Sequence, residues 1–255
     1  MMITIVFHFI GALWYNWHKH ASFGAFGLFY YYGRKKQIAK HYPQPSHEII
    51  IEPFAGSAAY SFHGDNWKKE VILIEKDKRV ADIWDWLINE ASPQEIKSLP
   101  DLKVGEKSSE FLHIIHAATK QAFKYKNIKV TPVLARNWEI SKRVMSENLH
   151  KVSHWKIICG DFSSAPDVEA TWFIDPPYKS EPGMGYHYSS ALLNYEELAR
   201  WAQGRKGDVI FCEGPFGDYL PFKPLLDLKG VAGKVSKEVM FFQGNLKKVQ
   251  IEMFR

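Results

Sequence analysis

The sequence predicts an α/β protein built on a largely parallel sheet. Three observations carry this reading. Short β-branched runs alternate with amphipathic helical stretches in both halves of the chain. Several of those runs are apolar throughout, as strands covered on both faces must be. A helical, basic segment at residues 91–154 interrupts the alternation, and this divides the chain into an α/β domain (23–90 and 155–255) and an insert. With 255 residues, 46% of them hydrophobic, the chain can bury a sizeable core.

Taken in order, residues 48–54 (EIIIEPF) form the first strand, which ends in Ala55-Gly56-Ser57, and residues 58–62 are expected to start a helix. Residues 71–75 (VILIE) are a second buried strand and 80–89 a helix. In the insert, Ser92-Pro93 begins a short helix and Ser108 caps another, whose apolar positions are Phe111, Ile114, Ile115, Ala118 and Ala122. Thr131-Pro132 opens a third, with Leu134, Trp138, Met145 and Leu149 inward. Further buried strands are expected at 156–159, 170–174 and 208–212. A helix is expected at 195–203, capped by Asn194 and led by Glu196-Glu197. Residues 238–242 and 248–254 flank Gly244-Asn245 and predict a terminal β-hairpin.

Composition excludes several classes. The two cysteines, Cys159 and Cys212, each lie in an apolar run, so the expectation is reduced core thiols in a cytoplasmic protein. Neither His18/His20 nor His113/His116 has further ligands at zinc-like spacing, so no metal site is expected. Residues 1–22 are apolar and aromatic, but they lack a basic leader and a cleavage site and are too short to span a bilayer. They read as an N-terminal extension, with no membrane role. Charge is uneven: between Lys103 and Lys156 eleven lysines and arginines face four glutamates, while the whole chain is only +5. Such a segment, with Lys124, Lys126, Lys129, Arg136, Lys142 and Arg143 along it, is the footprint of a phosphate-backbone partner. A solvated helical face is the alternative.

The sharpest motif is Asp175-Pro176-Pro177-Tyr178, which ends the run at 171–174. Two prolines fix φ and remove two N–H donors, leaving carbonyls available as acceptors. An exocyclic amine could donate one N–H to the Asp175 carboxylate and one to a main-chain carbonyl, while the Tyr178 ring lies flat on the base. Upstream, Glu52-Pro53-Phe54-Ala55-Gly56-Ser57-Ala58 follows the first strand, and Gly56 permits close approach of backbone to ligand. Glu75 ends the next strand, near the spacing at which a carboxylate grips ribose hydroxyls. A full dinucleotide glycine fingerprint is absent, so a nucleoside with little phosphate fits better than NAD. Before the first strand, residues 29–36 (FYYYGRKK) join aromatics, a glycine and a basic triplet able to close over such a ligand.

In this order the motifs Tyr31-Tyr32-Gly33-Arg34-Lys35, Glu52 to Ala58, Ile72 to Glu75, a helical insert and Asp175-Pro176-Pro177-Tyr178 resemble the Dam-like adenine-specific DNA methyltransferases of phage and prophage type. The resemblance runs from about Phe26 to the C-terminus and includes residues 207–213 and 220–222. It implies a Rossmann-like, S-adenosylmethionine-dependent methyltransferase sheet and transfer of a methyl group to adenine N6 in double-stranded DNA. The base would flip into the pocket of Asp175, Pro176, Pro177 and Tyr178. By the same resemblance Tyr31, Lys35, Glu52, Phe54, Gly56, Ser57 and Glu75 hold the cofactor, Asp161 and Phe162 flank its adenine, and residues 91–154 recognise DNA. The chain departs from the family pattern in Arg34, where a second glycine is usual, and in Ala58, where glycine often follows. A monomer is expected. The residues leave open a cytosine N4 or RNA substrate, and a DNA-binding protein with a decayed site.

Overall fold

A computed structural model describes residues 28, 29, 31, 33, 35, 38–107, 129–229 and 235–244. Its centre is a seven-stranded sheet of β1 (Ile49–Glu52), β2 (Glu70–Glu75), β3 (Lys156–Cys159), β4 (Ala170–Ile174), β5 (Gly207–Glu213), β6 (Lys223–Lys229) and β7 (Val235–Gln243). The strand order is β3-β2-β1-β4-β5-β7-β6. Strands β1 to β5 pair in parallel, and β7 runs antiparallel to both β5 and β6.

Period-two alternation builds the layers. Ile50, Leu73, Phe173 and Ile210 point to one face, where α1 (Lys78–Asn89) packs Val80, Ile83, Trp84 and Leu87 against them. Ile51, Ile72, Ile74, Trp172, Val209 and Phe211 point to the other, covered by Leu198, Ala199 and Ala202 of α4 (Tyr195–Gln203). Because both faces are covered, the central strands read as unbroken apolar runs in the sequence. The helix starts follow their caps. Asp77 accepts from the Arg79 amide at α1, and Asn194 from Glu197 at α4.

Within 91–154, α2 (Pro93–Ser98) starts with a Ser92/Glu95 capping box. α3 (Pro132–Asn148) starts at the Thr131 cap with Pro132 in its first turn. Ile96, Trp138, Met145 and Leu149 join the same buried cluster as Trp84 and Phe173, so these two helices close onto the core. The helix expected after Ser108, with Lys124 and Lys126, lies outside the described residues, as do residues 1–22 and the expected strand at 248–254.

Three expectations are corrected. Residues 58–62 form turns and no helix: Gly56 and Ala58 sit at φ +48° and +47°, in the left-handed region that a helix cannot use. The Tyr60 ring instead stacks on Phe173, centroids 4.3 Å apart and 1° from parallel. In the C-terminal hairpin seen, β7 pairs with β6, which the sequence concealed because Pro224 lies within it; an edge strand tolerates a proline that a central one does not. Cys159 is exposed and only Cys212 is buried, since β3 is the opposite edge of the sheet. Among the described residues no helix is long and apolar enough to cross a membrane, and no group of three or more His, Cys, Asp or Glu side chains could hold a metal ion.

Candidate functional site

From the neighbouring strands β1 and β4 the chain continues to opposite sides, to β2 and to β5, so a crevice opens beyond their carboxyl ends. It holds about 1030 Å³ of empty space, part of it open to solvent. Its walls include Tyr31, Lys35, Glu52, Phe54, Gly56, Ser57, Glu75, Asp161, Phe162, Asp175 and Pro177. Every cofactor residue expected from the sequence therefore meets Asp175 in one cavity.

The β1 end is held by the acids that close β1 and β2. Glu75 accepts from the Gly56 amide (3.0 Å) and the Asp77 amide (2.9 Å), and Glu52 accepts from the Ser61 amide (2.8 Å). These bonds satisfy the Gly56 and Ser61 amides, while the Phe62 amide donates to the Ala58 carbonyl at 2.9 Å in a single turn. Glu75 lines the crevice beside these amides. A Cβ at Gly56 would lie 3.0 Å from the Tyr31 ring, so glycine is needed there for space as well as for its positive φ. The buried Ser57 hydroxyl has no hydrogen-bond partner among the described residues. Phe54 and Phe162 form an aromatic wall, ring centroids 6.1 Å apart and 27° from parallel. Asp161 takes up its Oδ1 with the Ser163 amide and hydroxyl, and Lys76 stands 3.9 Å from its Oδ2.

At the β4 end one of the two proline carbonyls expected to stand free is taken. The Pro177 carbonyl accepts from the Tyr195 hydroxyl at 2.6 Å. The neighbouring Pro176 carbonyl accepts no hydrogen bond among the described residues. Neither Pro176 nor Tyr178 lines the open cavity. The Lys35 ammonium lies 2.8 Å from Asp175 Oδ1 and 4.6 Å from the centroid of the Tyr178 ring. Apart from that ion contact, the buried Asp175 Oδ1 accepts no hydrogen bond among the described residues. A cationic nitrogen thus occupies the place in which the sequence reading puts an amine.

Burial dominates the titration of these acids. It pushes Glu52 up to about 8 and Glu75 up to about 7, against the lowering effect of the amides they accept from. Asp175 is raised by burial, with Lys35 opposing. For Lys35 burial acts downward, but Asp175 and then Glu238 outweigh it and raise the ammonium. Around the cavity stand Glu52, Glu75, Asp77, Asp161 and Asp175, against two lysines, Lys35 and Lys76. With Glu52 and Glu75 ionised, the crevice favours a cationic ligand and disfavours a pyrophosphate.

Several side chains escaped the sequence reading. Glu238 of β7 receives a short hydrogen bond from the Tyr178 hydroxyl. Tyr186 lies over Gly33, where a Cβ would meet its hydroxyl, and its ring centroid is 6.3 Å from that of Tyr31. The run Tyr186-His187-Tyr188 was an available signal, being aromatic and close after Pro-Pro-Tyr; Glu238 offered none. Of the basic residues, Lys129, Arg136 and Arg143 are exposed. Lys142 is buried and bound to Asp101, to Glu139 (3.1 Å) and to the Leu99 carbonyl (3.2 Å), a clasp between α3 and the end of α2. Its charge is committed inside the fold.

No protein-family model matches the chain, and no curated protein matches its sequence significantly.

Proposed function

We infer that the chain is an S-adenosylmethionine-dependent methyltransferase acting on the N6 amine of adenine in double-stranded DNA. One observation carries the reading: an ammonium nitrogen held against Asp175 and over the Tyr178 ring, at the edge of a cavity walled by carboxylates. The residues present suit the cofactor. The Ser57 hydroxyl, the Glu75 carboxylate and the aromatic wall of Phe54 and Phe162 would hold a nucleoside, and the acids would balance a sulfonium. When bound, the cofactor supplies an electrophilic methyl group.

The chain's own residues do the rest. An amine conjugated to a purine is a weak nucleophile; N–H bonds to Asp175 and the Pro176 carbonyl localise its lone pair as nitrogen becomes tetrahedral. The Tyr195 hydroxyl, by occupying the Pro177 carbonyl, leaves Pro176 as the available acceptor. Tyr178 stacks on the flipped base. Burial makes Asp175 a stronger acceptor once Lys35 withdraws. In-line placement supplies much of the remaining barrier reduction. The exposed Lys129, Arg136 and Arg143 would meet phosphates.

The test is incubation of the purified chain with labelled S-adenosylmethionine and unmethylated DNA, followed by modification-sensitive sequencing. Label on adenine is expected. Label on cytosine would move the assignment to the N4 amine, and cofactor binding without label in DNA would favour a decayed site.

A further inference from the structure

Glu238 lies in β7, opposite Leu226 of β6, with 7% of its surface exposed. A carboxylate so buried is costly unless its charge is met. Two groups meet it: the Tyr178 hydroxyl, which donates to Oε2, and the positive charge of Lys35. Lys35 is itself buried and belongs to two acids. It touches Asp175, and among the carboxylates whose field acts on it Glu238 ranks second. Between the two acids lies the Tyr178 ring, with Asp175 three residues before it in the chain, Glu238 at its hydroxyl and the ammonium over its face.

A substrate amine needs the Asp175 oxygen that Lys35 now holds. The ammonium has to leave, and it cannot move into apolar surroundings without a counter-charge. A slide along the tyrosine face keeps a cation–π contact and brings it to the second acid. We propose that Glu238 is a positioning residue of the amine site: it clamps the Tyr178 ring through its hydroxyl and receives the Lys35 ammonium when a substrate amine takes its place at Asp175. The proposal rests on the reading of Asp175 to Tyr178 as the amine site.

The experiment combines kinetics with a spectroscopic readout. Wild type, Glu238→Gln, Lys35→Met and the double variant are compared for kcat and KM on DNA and for S-adenosylmethionine affinity. Glu238→Gln retains an acceptor for the tyrosine but no charge. Its kcat is expected to fall about tenfold with cofactor affinity kept within about twofold, and the penalty to shrink below about twofold in the Lys35→Met background, where no ammonium needs a new partner. In free protein labelled with 3-fluorotyrosine, the Tyr178 fluorine resonance, identified with Tyr178→Phe, is expected to shift in Glu238→Gln. An unmoved resonance with wild-type kcat and KM would overturn the proposal, as would a penalty equal in both Lys35 backgrounds. Should Glu238→Gln fail to fold, Tyr178→Phe reads the clamp in its place, with a fall of the same order expected and wild-type kcat overturning it. A wild-type chain that transfers no methyl group to DNA would overturn the underlying reading, and this proposal with it.

Discussion

On the proposed reading, the acids of the crevice make S-adenosylmethionine binding a titration. Glu75 stands at about 7 and Glu52 at about 8, both lifted by burial from an ordinary value of 4.5. A cationic ligand binds the ionised pair, so each acid weakens binding by the factor 1 + 10^(pKa − pH). At pH 6 the two factors multiply to about 1,100, at pH 7 to about 22 and at pH 8 to about 2, so affinity rises steeply with pH and levels off above 8. At pH 7 Glu75 is half protonated and Glu52 nine-tenths protonated, so binding releases about 1.4 protons. Isothermal titration calorimetry of S-adenosylmethionine in buffers of different ionisation enthalpy reads both quantities. Glu52→Gln should cut the release to about 0.5, the share of Glu75. Stability of the free chain runs the other way. A folded-state pKa above the unfolded value means the folded state holds the extra protons, so this stability is full below pH 4.5 and is lost as pH rises through 7 and 8. A dissociation constant that does not change between pH 6 and 8, with no proton release, would refute the reasoning.

Other consequences follow from single side chains. Asp175→Asn should lower methyl transfer by about a hundredfold or more while S-adenosylmethionine still binds, checked by single-turnover kinetics beside calorimetry. Gly56→Ala places a Cβ 3.0 Å from the Tyr31 ring at φ +48°, so thermal unfolding should report a loss of about 1–3 kcal/mol, with weaker cofactor binding. Lys142→Ala should remove the clasp to Asp101 and Leu99 and cost about 1 kcal/mol by chemical denaturation, leaving the salt dependence of DNA binding unchanged. Arg136→Ala or Arg143→Ala should reduce that salt slope by about 0.9 each, measured by fluorescence anisotropy across a salt series.

Much of this fold was legible because its signals are local. The strands β3 and β4 and the helix α4 lie where apolar runs and an Asn194 cap placed them. The strand ends carrying Glu52, Glu75 and Asp175 then follow from the parallel pairing, which collects them at one edge. What could not be read depends on contacts between distant residues. Nothing near Ala58 announces that Glu52 will bond the Ser61 amide and that the chain will turn instead of coiling. Lys142 is legible as a charge, but its commitment depends on Asp101, forty-one positions earlier. Glu238 reads as one acid in a strand until β7 is laid beside β5 and brings it to the Tyr178 hydroxyl. Lys35 was read as a cofactor residue, and only the folded chain shows its ammonium at the carboxylate it would have to vacate.

The central claim is that Asp175, the Pro176 carbonyl and Tyr178 form the site at which an adenine amine is methylated. Mass spectrometry of nucleosides from unmethylated duplex DNA, after incubation with S-adenosylmethionine and either the wild-type chain or Asp175→Asn, tests it most directly. The account predicts N6-methyladenine with the wild type and a yield lower by about a hundredfold or more with the variant. Equal N6-methyladenine from both proteins, or none from the wild type under conditions where it binds the cofactor, would contradict it.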